Sequence, residues 1–256
     1  MADRIPDFSN KVRNSIAEEL RGRLVCLKVD GVTKSTRHFI GINVQYIKDA
    51  KIVVRTLGVR EMFSRHTALN IKSEILSSLD SFQLSVRNLL SSTTDTGANM
   101  IKLAELLQLA QIEDFDDIGL IEWFPECDLD PSDATLQTVK CAAHTLQLAV
   151  HDAIKNSEET AAILKKARNA ACALRKPNRV KELRKQGHAM PVLDVSTRWG
   201  SSFDMLESVL AVKEYAVAHE SEDDLLCLTD EEWQLVENVI DALRPAREAT
   251  IILQGK

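Results

Sequence analysis

The hydrophobic periodicity changes from strand-like to helix-like early in the chain, and this change constrains the fold more than any other feature. Leu24–Val29, Phe39–Ile47 and Lys51–Leu57 are short apolar and β-branched runs that are typical of strands. After Phe63 the apolar positions recur every three or four residues, and Thr67 can cap the helix that this spacing predicts. Three strands followed by a helix indicate an antiparallel meander that leads into an α/β unit.

Two further strand candidates follow: Ser85–Leu90 and the short Val192–Val195. The predicted helices are Ser9–Leu20, 97–110, Thr138–Ile154, Glu158–Leu174, Ser202–His219 and a last one that begins after Thr229 with a capping box. A strand–helix–strand crossover is right-handed and parallel, so strand 4 should lie beside strand 1. Residues 111–133 are acidic and interrupted by prolines, and they predict a surface loop.

Composition excludes several classes of protein. Of the 256 residues, 45% are hydrophobic and 27% are charged, which is ordinary globular composition. The sequence contains no apolar run of membrane-spanning length and no signal peptide, so we expect an intracellular protein without membrane association. Five scattered cysteines are an odd number and argue against a disulfide framework. The net charge of −6 is unlike that of a general nucleic-acid binder, so any DNA contact must come from a local patch.

Two carboxylates are predicted to meet at one edge of the sheet. Asp30 follows the first strand candidate and Asp95 follows the fourth. If those strands are neighbours, the two side chains converge and can hold Mg²⁺ or Mn²⁺ through oxygen ligands. A third acid is usually needed before two ions can clamp a phosphate group. Both residues also suit ordinary turns at strand ends, and spacing alone does not decide between the two interpretations.

Four sequence blocks, taken in order, resemble the hAT-superfamily DNA transposases and the zinc finger BED domain-containing proteins derived from them. They are Val29–Ser35 with Phe39–Asn43, Thr93–Met100, Cys141–Leu148, and Asp194–Ser202 followed by Met205–Leu206 and Leu228–Trp233. Each block is weak alone, but together they extend from about Leu24 to Leu253.

The resemblance implies an RNase H-like fold: a mixed five-stranded sheet with flanking helices that runs into the start of an all-helical insertion domain. The implied division is a leader over 1–20, the RNase H-like core over 21–200 and the insertion from 201 to 256. It also implies that Asp30 and Asp95 are the first two catalytic, metal-binding acids of cut-and-paste transposition. His144 then matches the Cys-x-x-His helix beside that site, and Trp199 matches the tryptophan that stacks an extruded base.

The sequence also departs from the family pattern. Val32 replaces an aromatic residue, and Thr96 replaces a common asparagine. The resemblance places the third catalytic carboxylate and the dimerisation segment beyond Lys256, and no BED zinc finger precedes Asp30. We therefore expect no transposition by this chain alone, and its oligomeric state stays open.

Cys141, His144, Leu148 and His151 share one face of a predicted helix. Zinc binding would need two more ligands at comparable spacing, so no zinc is expected and a packed cysteine beside a hydrogen-bonded histidine is the simpler interpretation. Cysteine-protease chemistry is not expected either, because no residue in this pattern would orient a cysteine nucleophile and a histidine base.

Residues 165–185 form a basic segment with a single acid, Glu182. Its lysines and arginines are Lys165, Lys166, Arg168, Arg175, Lys176, Arg179, Lys181, Arg184 and Lys185. A solvated helix face explains such a run in most proteins, and a surface that tracks DNA phosphates is the alternative. The predicted DNA contacts are Lys165, Lys166, Arg168, Arg175, Lys176 and Arg179, together with His144, Arg198 and Trp199.

Trp199 is open to two interpretations, a core residue or a stacking platform at a strand-to-helix junction. The resemblance implies a transposase-derived module in the nucleus that contacts DNA and whose ancestral chemistry is metal-dependent DNA cleavage and strand transfer. Its alternatives are a non-catalytic DNA- or chromatin-associated scaffold, a protein-interaction domain without DNA affinity, and a fragment with no selected function.

Overall fold

The structure is a computed structural model that describes residues 4–116, 135–195 and 198–254. The chain divides into two compact units, Met1–Cys141 and Ala142–Lys256. The domain division predicted from the sequence, with boundaries after residues 20 and 200, stays a prediction.

The first unit is built on a five-stranded mixed sheet, which confirms the predicted fold class. Its strands are β1 (Val25–Lys34), β2 (Arg37–Lys48), β3 (Lys51–Glu61), β4 (Leu89–Thr94) and β5 (Gln137–Lys140). Their order across the sheet is β3-β2-β1-β4-β5. The first three strands form the predicted antiparallel meander, and β4 lies parallel to β1, as the crossover rule requires.

Among the described residues of this unit, three helices accompany the sheet: α1 (Arg4–Leu20), α2 (Ala68–Asp80) and α3 (Ala98–Asp116). Thr67 caps α2 as predicted, since its side chain accepts a hydrogen bond from the backbone N–H of Asn70. The core contains one face of β1 and β2 with the apolar stripes of the helices, including Leu27, Ile42 and Leu103, all fully buried.

Two predicted strand boundaries are wrong. The first strand does not stop before Asp30 but continues to Lys34, because Val29–Lys34 pairs with β2 up to a hairpin turn at Ser35. The fourth strand begins later than predicted. Ser85 caps a single 3₁₀ turn over Val86–Asn88, and this turn occupies the middle half of the predicted strand Ser85–Leu90.

The fifth strand was also assigned to the wrong segment. Gln137–Lys140, predicted to lie partly in a helix, pairs with β4 as β5. Val192–Val195 joins no strand of the sheet. The backbone N–H groups of Val192 and Val195 donate instead to the hydroxyls of Ser208 and Ser201.

The second unit is helical among its described residues. Its helices are α4 (Ala142–Asn156), α5 (Glu158–Leu174), α6 (Pro177–Lys185), α7 (Trp199–Leu210), α8 (Lys213–Ala218) and α9 (Asp230–Leu253). The bounds of α5 match the prediction, and Thr229 and Glu232 form the predicted capping box of α9. The core of this unit surrounds Trp199, Trp233 and Leu206.

Other helix boundaries differ from the predictions. The single helix predicted over Ser202–His219 is divided into α7 and α8, and α6 was not predicted at all. The predicted loop over 111–133 is wrong at its start, because α3 continues to Asp116. Residues 117–134 of that loop lie outside the described residues.

Within the described ranges, no helix is both long and apolar enough to cross a lipid bilayer.

Candidate metal and nucleic-acid sites

Asp30 lies within β1, at the point where this strand leaves its parallel neighbour β4. Val25, Leu27 and Val29 are buried, so Asp30 belongs to the opposite face of the sheet, where its side chain is exposed. Its partner across β2 is Gly41, which presents no side chain toward it. The carboxylate therefore lies on an open part of the sheet surface.

Asp95 is the first residue after β4 and is half-buried. Its Oδ1 accepts a hydrogen bond of 2.8 Å from the backbone N–H of Gly97, in the turn that leads into α3. This contact fixes the side chain at the carboxyl end of β4 and at the start of a helix, where negative charge is favoured.

The strand register relates the two carboxylates to each other. Cys26 pairs with Ser91, Leu27 with Ser92 and Lys28 with Thr93, a constant offset of 65 positions. Asp30 and Asp95 are separated by the same offset, since 95 − 30 = 65. The pairing ends at Lys28 and Thr93; the same offset, extended by two positions, would set Asp30 against Asp95, on the face away from buried Leu27 and Ser92.

The donor chemistry of this pair fits a divalent cation such as Mg²⁺, which prefers carboxylate oxygens. In the described part of the chain, no cluster of three or more acidic, histidine or cysteine side chains is arranged to hold a metal ion. The pair would supply two ligands to a cation, and a two-cation phosphate clamp would need a further acid.

In the folded chain, some cations of the basic segment pair with protein groups and others stay exposed. Arg179 is buried, and it shares Oδ2 of Asp223 with Lys176 at 2.7 Å each. These contacts lower the pKa of Asp223 below its usual range. Lys166 pairs with Glu232, and Arg175 donates to the carbonyl oxygen of Pro191 at 2.8 Å.

Arg168 donates two hydrogen bonds to the carboxylate of Asp194, one from Nε to Oδ1 at 2.7 Å. The Asp194 side chain is 2% exposed, and it also accepts a hydrogen bond from the hydroxyl of Ser202 at 3.1 Å. The Arg168 guanidinium lowers the pKa of Asp194, because it donates to the charged form. Five of the six predicted DNA contacts within the basic segment thus have protein partners, and Lys165 is the exposed exception in the described part of that segment.

Trp199 begins α7 and is 2% exposed, so its indole packs into the helical core. A cavity of about 220 Å³ lies against it, lined by His151, Ile154, Ala161, Leu164, Arg168, Trp199 and Ser202. The cavity brings Trp199 and Arg168, two of the predicted DNA contacts, to one place. In this structure Trp199 is a core residue of the helical unit, and its role in stacking a base stays a prediction.

The other two predicted DNA contacts, Arg198 and His144, also belong to the second unit, but neither lines the cavity beside Trp199. Arg198 is exposed immediately before α7, and His144 is half-buried near the start of α4. His151 follows His144 by two turns of that helix and lines the cavity.

Sequence reasoning missed the acids that organise the basic segment. Asp194 belongs to one of the four blocks that resemble the hAT family, but its pairing with Arg168 joins residues 26 positions apart. Asp223 lies 44 positions from Arg179. The sequence did carry one signal of these pairs, which is that the basic segment has many cations and few acids. Any of its cations that become buried must therefore pair with acids from other parts of the chain.

Comparisons with known proteins agree with this arrangement. Residues 3–103, which include both carboxylates, match the family described as ZMYM1/FAM200, RNase-like domain. Residues 139–242, which include the basic segment and Trp199, match the ZBED1 RNase-like helical domain. Human zinc finger BED domain-containing protein 4 is 28% identical over 125 residues, covering 44% of this chain and 10% of that protein.

The chain thus spans about a tenth of the length of that curated relative. The two family matches follow each other along the chain in the same order as the sheet-containing unit and the helical unit. The resemblance predicted from the sequence is therefore confirmed: the sheet-containing part of the chain is similar to an RNase-like domain, and the helical part is similar to an RNase-like helical domain.

Proposed function

We propose that the first unit supplies two ligands of a metal-dependent site for cutting and joining DNA strands, with Asp30 and Asp95 as the divalent-cation ligands. The observation that carries the proposal is the shared 65-residue offset. The offset of the paired residues Cys26–Lys28 and Ser91–Thr93, extended by two positions, supports the placement of the two carboxylates beside each other at the ends of neighbouring parallel strands.

The surroundings of the pair favour this role over that of two turn residues. Asp30 lies inside a paired strand, so it forms no turn. Gly41 leaves space beside Asp30. Asp95 uses Oδ1 for the turn to Gly97, which leaves Oδ2 to face a ligand. A cation bound there would polarise a phosphodiester and activate water, and the two carboxylates would fix its position.

Cation binding is the direct test. Titration of the chain with Mn²⁺, followed by electron paramagnetic resonance, should reveal a site that is lost in Asp30→Asn and in Asp95→Asn. Asp49→Asn is a matched control, because Asp49 is an exposed acid in the turn at the other end of β2, with a backbone that asparagine tolerates. Equal Mn²⁺ binding by the wild type and both site variants would reject the proposal.

Cleavage is expected to need a third acid. The chain should therefore leave DNA uncut in Mg²⁺ or Mn²⁺. Cation-dependent cleavage that disappears in both Asp30→Asn and Asp95→Asn would instead show that this chain completes the site by itself.

A second candidate is a DNA- or chromatin-associated scaffold without catalysis, and the exposed cations of α6 and Arg198 favour it. DNA as partner and the nucleus as location belong to both candidates. Salt-sensitive duplex binding that is unchanged in Asp30→Asn, together with no Mn²⁺ site, would select the scaffold. Absence of duplex binding at low salt would favour a protein-interaction domain.

A further inference from the structure

Helix α6 presents two chemically different faces. Arg179 and Leu183, one turn apart, are buried against the rest of the helical unit. Lys181, Arg184 and Lys185 follow the i, i+3, i+4 spacing and are all exposed. The helix is therefore docked through one face and carries three positive charges on the other.

The nearby acids are already engaged by other groups. Asp223 is shared by Lys176 and Arg179. Glu182, within α6, accepts a hydrogen bond from the hydroxyl of Tyr215, and together with burial it raises the pKa of that tyrosine to about 12. As a result, Lys181, Arg184 and Lys185 form no ion pair with any residue that the structure describes.

The end of α6 is fixed by its own backbone. Gly187 has a φ of +81°, and the N–H of His188 donates to the carbonyl oxygen of Leu183 at 2.9 Å. This is a Schellman closure, in which glycine adopts the left-handed conformation without strain. Pro177 occupies the first turn at the other end. The three cations are thus presented on a short helix with both ends defined.

We propose that this face of α6, formed by Lys181, Arg184 and Lys185, contacts the phosphate backbone of duplex DNA without reading its sequence. The proposal rests on DNA as the partner in the proposed function, and within the basic segment it moves the main contact from the six predicted residues to the three other cations. Binding releases the counterions condensed on DNA, so unpaired lysines and arginines are the groups that gain most from it. The net charge of −6 makes a local face, rather than the whole molecule, responsible for attraction.

The test compares two variants of equal charge. In the first, Lys181, Arg184 and Lys185 are all replaced by glutamine, a residue of similar helix propensity. The matched control replaces three exposed lysines of the first unit, Lys11, Lys51 and Lys102. Each variant changes the net charge from −6 to −9. Circular dichroism and the urea unfolding midpoint establish that both are folded.

Binding to a short random-sequence duplex is titrated from about 50 to about 200 mM salt. Three phosphate contacts contribute a slope of about −2.7 to the plot of log affinity against log salt. Over this fourfold range the wild type should lose about 40-fold more affinity than the α6 variant, whose slope is shallower. The control should retain the wild-type slope.

Equal slopes for the wild type, the α6 variant and the control would overturn the proposal and leave a solvated helix face, while DNA binding itself would still stand. An equal loss in both variants would also overturn it, because the effect would then follow net charge. A wild type that binds no duplex at low salt would reject both this surface and DNA as partner. The Mn²⁺ titration remains an independent measure of the carboxylate pair.

Discussion

The guanidinium of Arg168 and the buried carboxylate of Asp194 form a two-bond pair that joins α5 to the segment before α7. Asp194 also accepts the hydroxyl of Ser202. The pair fixes the Arg168 side chain at the edge of the cavity beside Trp199. A residue predicted as a DNA contact therefore has a structural role in this unit.

Asp194→Asn should lower the free energy of unfolding by about 2–3 kcal/mol, since it removes charge-assisted hydrogen bonds from a side chain that is 2% exposed. Urea unfolding at neutral pH measures this change. Asp204→Asn is the control, because its pair with Arg247 is half-exposed and should contribute less than about 1 kcal/mol. Similar losses in the two variants would contradict the special role of Asp194.

Glu19 should make stability depend on pH. Arg55 donates two hydrogen bonds to its carboxylate, at 2.9 and 3.0 Å, and these lower its pKa from 4.5 to about 2. Because the folded pKa lies below the ordinary value, the stabilisation is complete above about pH 4.5 and is lost as the pH falls toward 2. Partial exposure of both side chains reduces its size to about 1–2 kcal/mol.

The measurement is urea unfolding of Glu19→Gln and the wild type between pH 7 and pH 3. Their difference in unfolding free energy should shrink as the pH falls. Glu18→Gln serves as the comparison, because its pair with Arg21 is 63% exposed on each side. A difference for Glu19→Gln that is constant with pH would show that the ion pair is not its origin.

Thr229→Ala should lower the free energy of unfolding by about 1 kcal/mol. The Thr229 hydroxyl accepts the N–H of Glu232, and the Glu232 carboxylate accepts the N–H of Thr229, so alanine leaves one end of the box without its acceptor. Thr229→Ser keeps the hydroxyl and should retain most of the stability. Thermal unfolding followed by circular dichroism compares the three proteins, and an equal loss for serine and alanine would refute the capping role.

Trp199 should be shielded from solvent in the isolated chain. With Trp123→Phe and Trp233→Phe, its indole is the only one left, and acrylamide should quench its fluorescence far less in the folded protein than in urea. Addition of a DNA hairpin then tests the stacking role. A base that stacks on the indole must alter the surroundings of the ring, and this would change the fluorescence of Trp199. Strong quenching before DNA is added would contradict the buried position of Trp199.

Local patterns predicted those parts of the fold that are determined locally. The caps at Thr67 and Thr229 and the bounds of α5 follow from side-chain hydrogen bonds and spacing within a few residues. The neighbouring position of β1 and β4 followed from the handedness of the crossover.

Strands were harder to predict where their formation depends on pairing with a neighbouring strand and not on their own residue composition. Gln137–Lys140 has no buried face and no alternation, and it becomes a strand because β4 offers it a free edge. Asp30 and Gly31 read as a turn, yet the hairpin with β2 extends β1 through them. A Cβ at position 31 would lie 3.7 Å from Met100 Cε, an ordinary van der Waals contact, so an extended strand fits at this position.

The sequence by itself determined the α/β order, the family resemblance and the two candidate acids, because these depend on residue type and spacing along the chain. Only the tertiary structure decided that β1 pairs with β4 at an offset of 65 positions between Cys26 and Lys28. It also decided which cations are neutralised, since Asp194 and Asp223 come from distant positions to pair with Arg168 and Arg179. The physical reason is that a buried charge needs a partner of opposite charge close to it in the folded structure. The residues between the two partners in the sequence do not indicate which residues will pair.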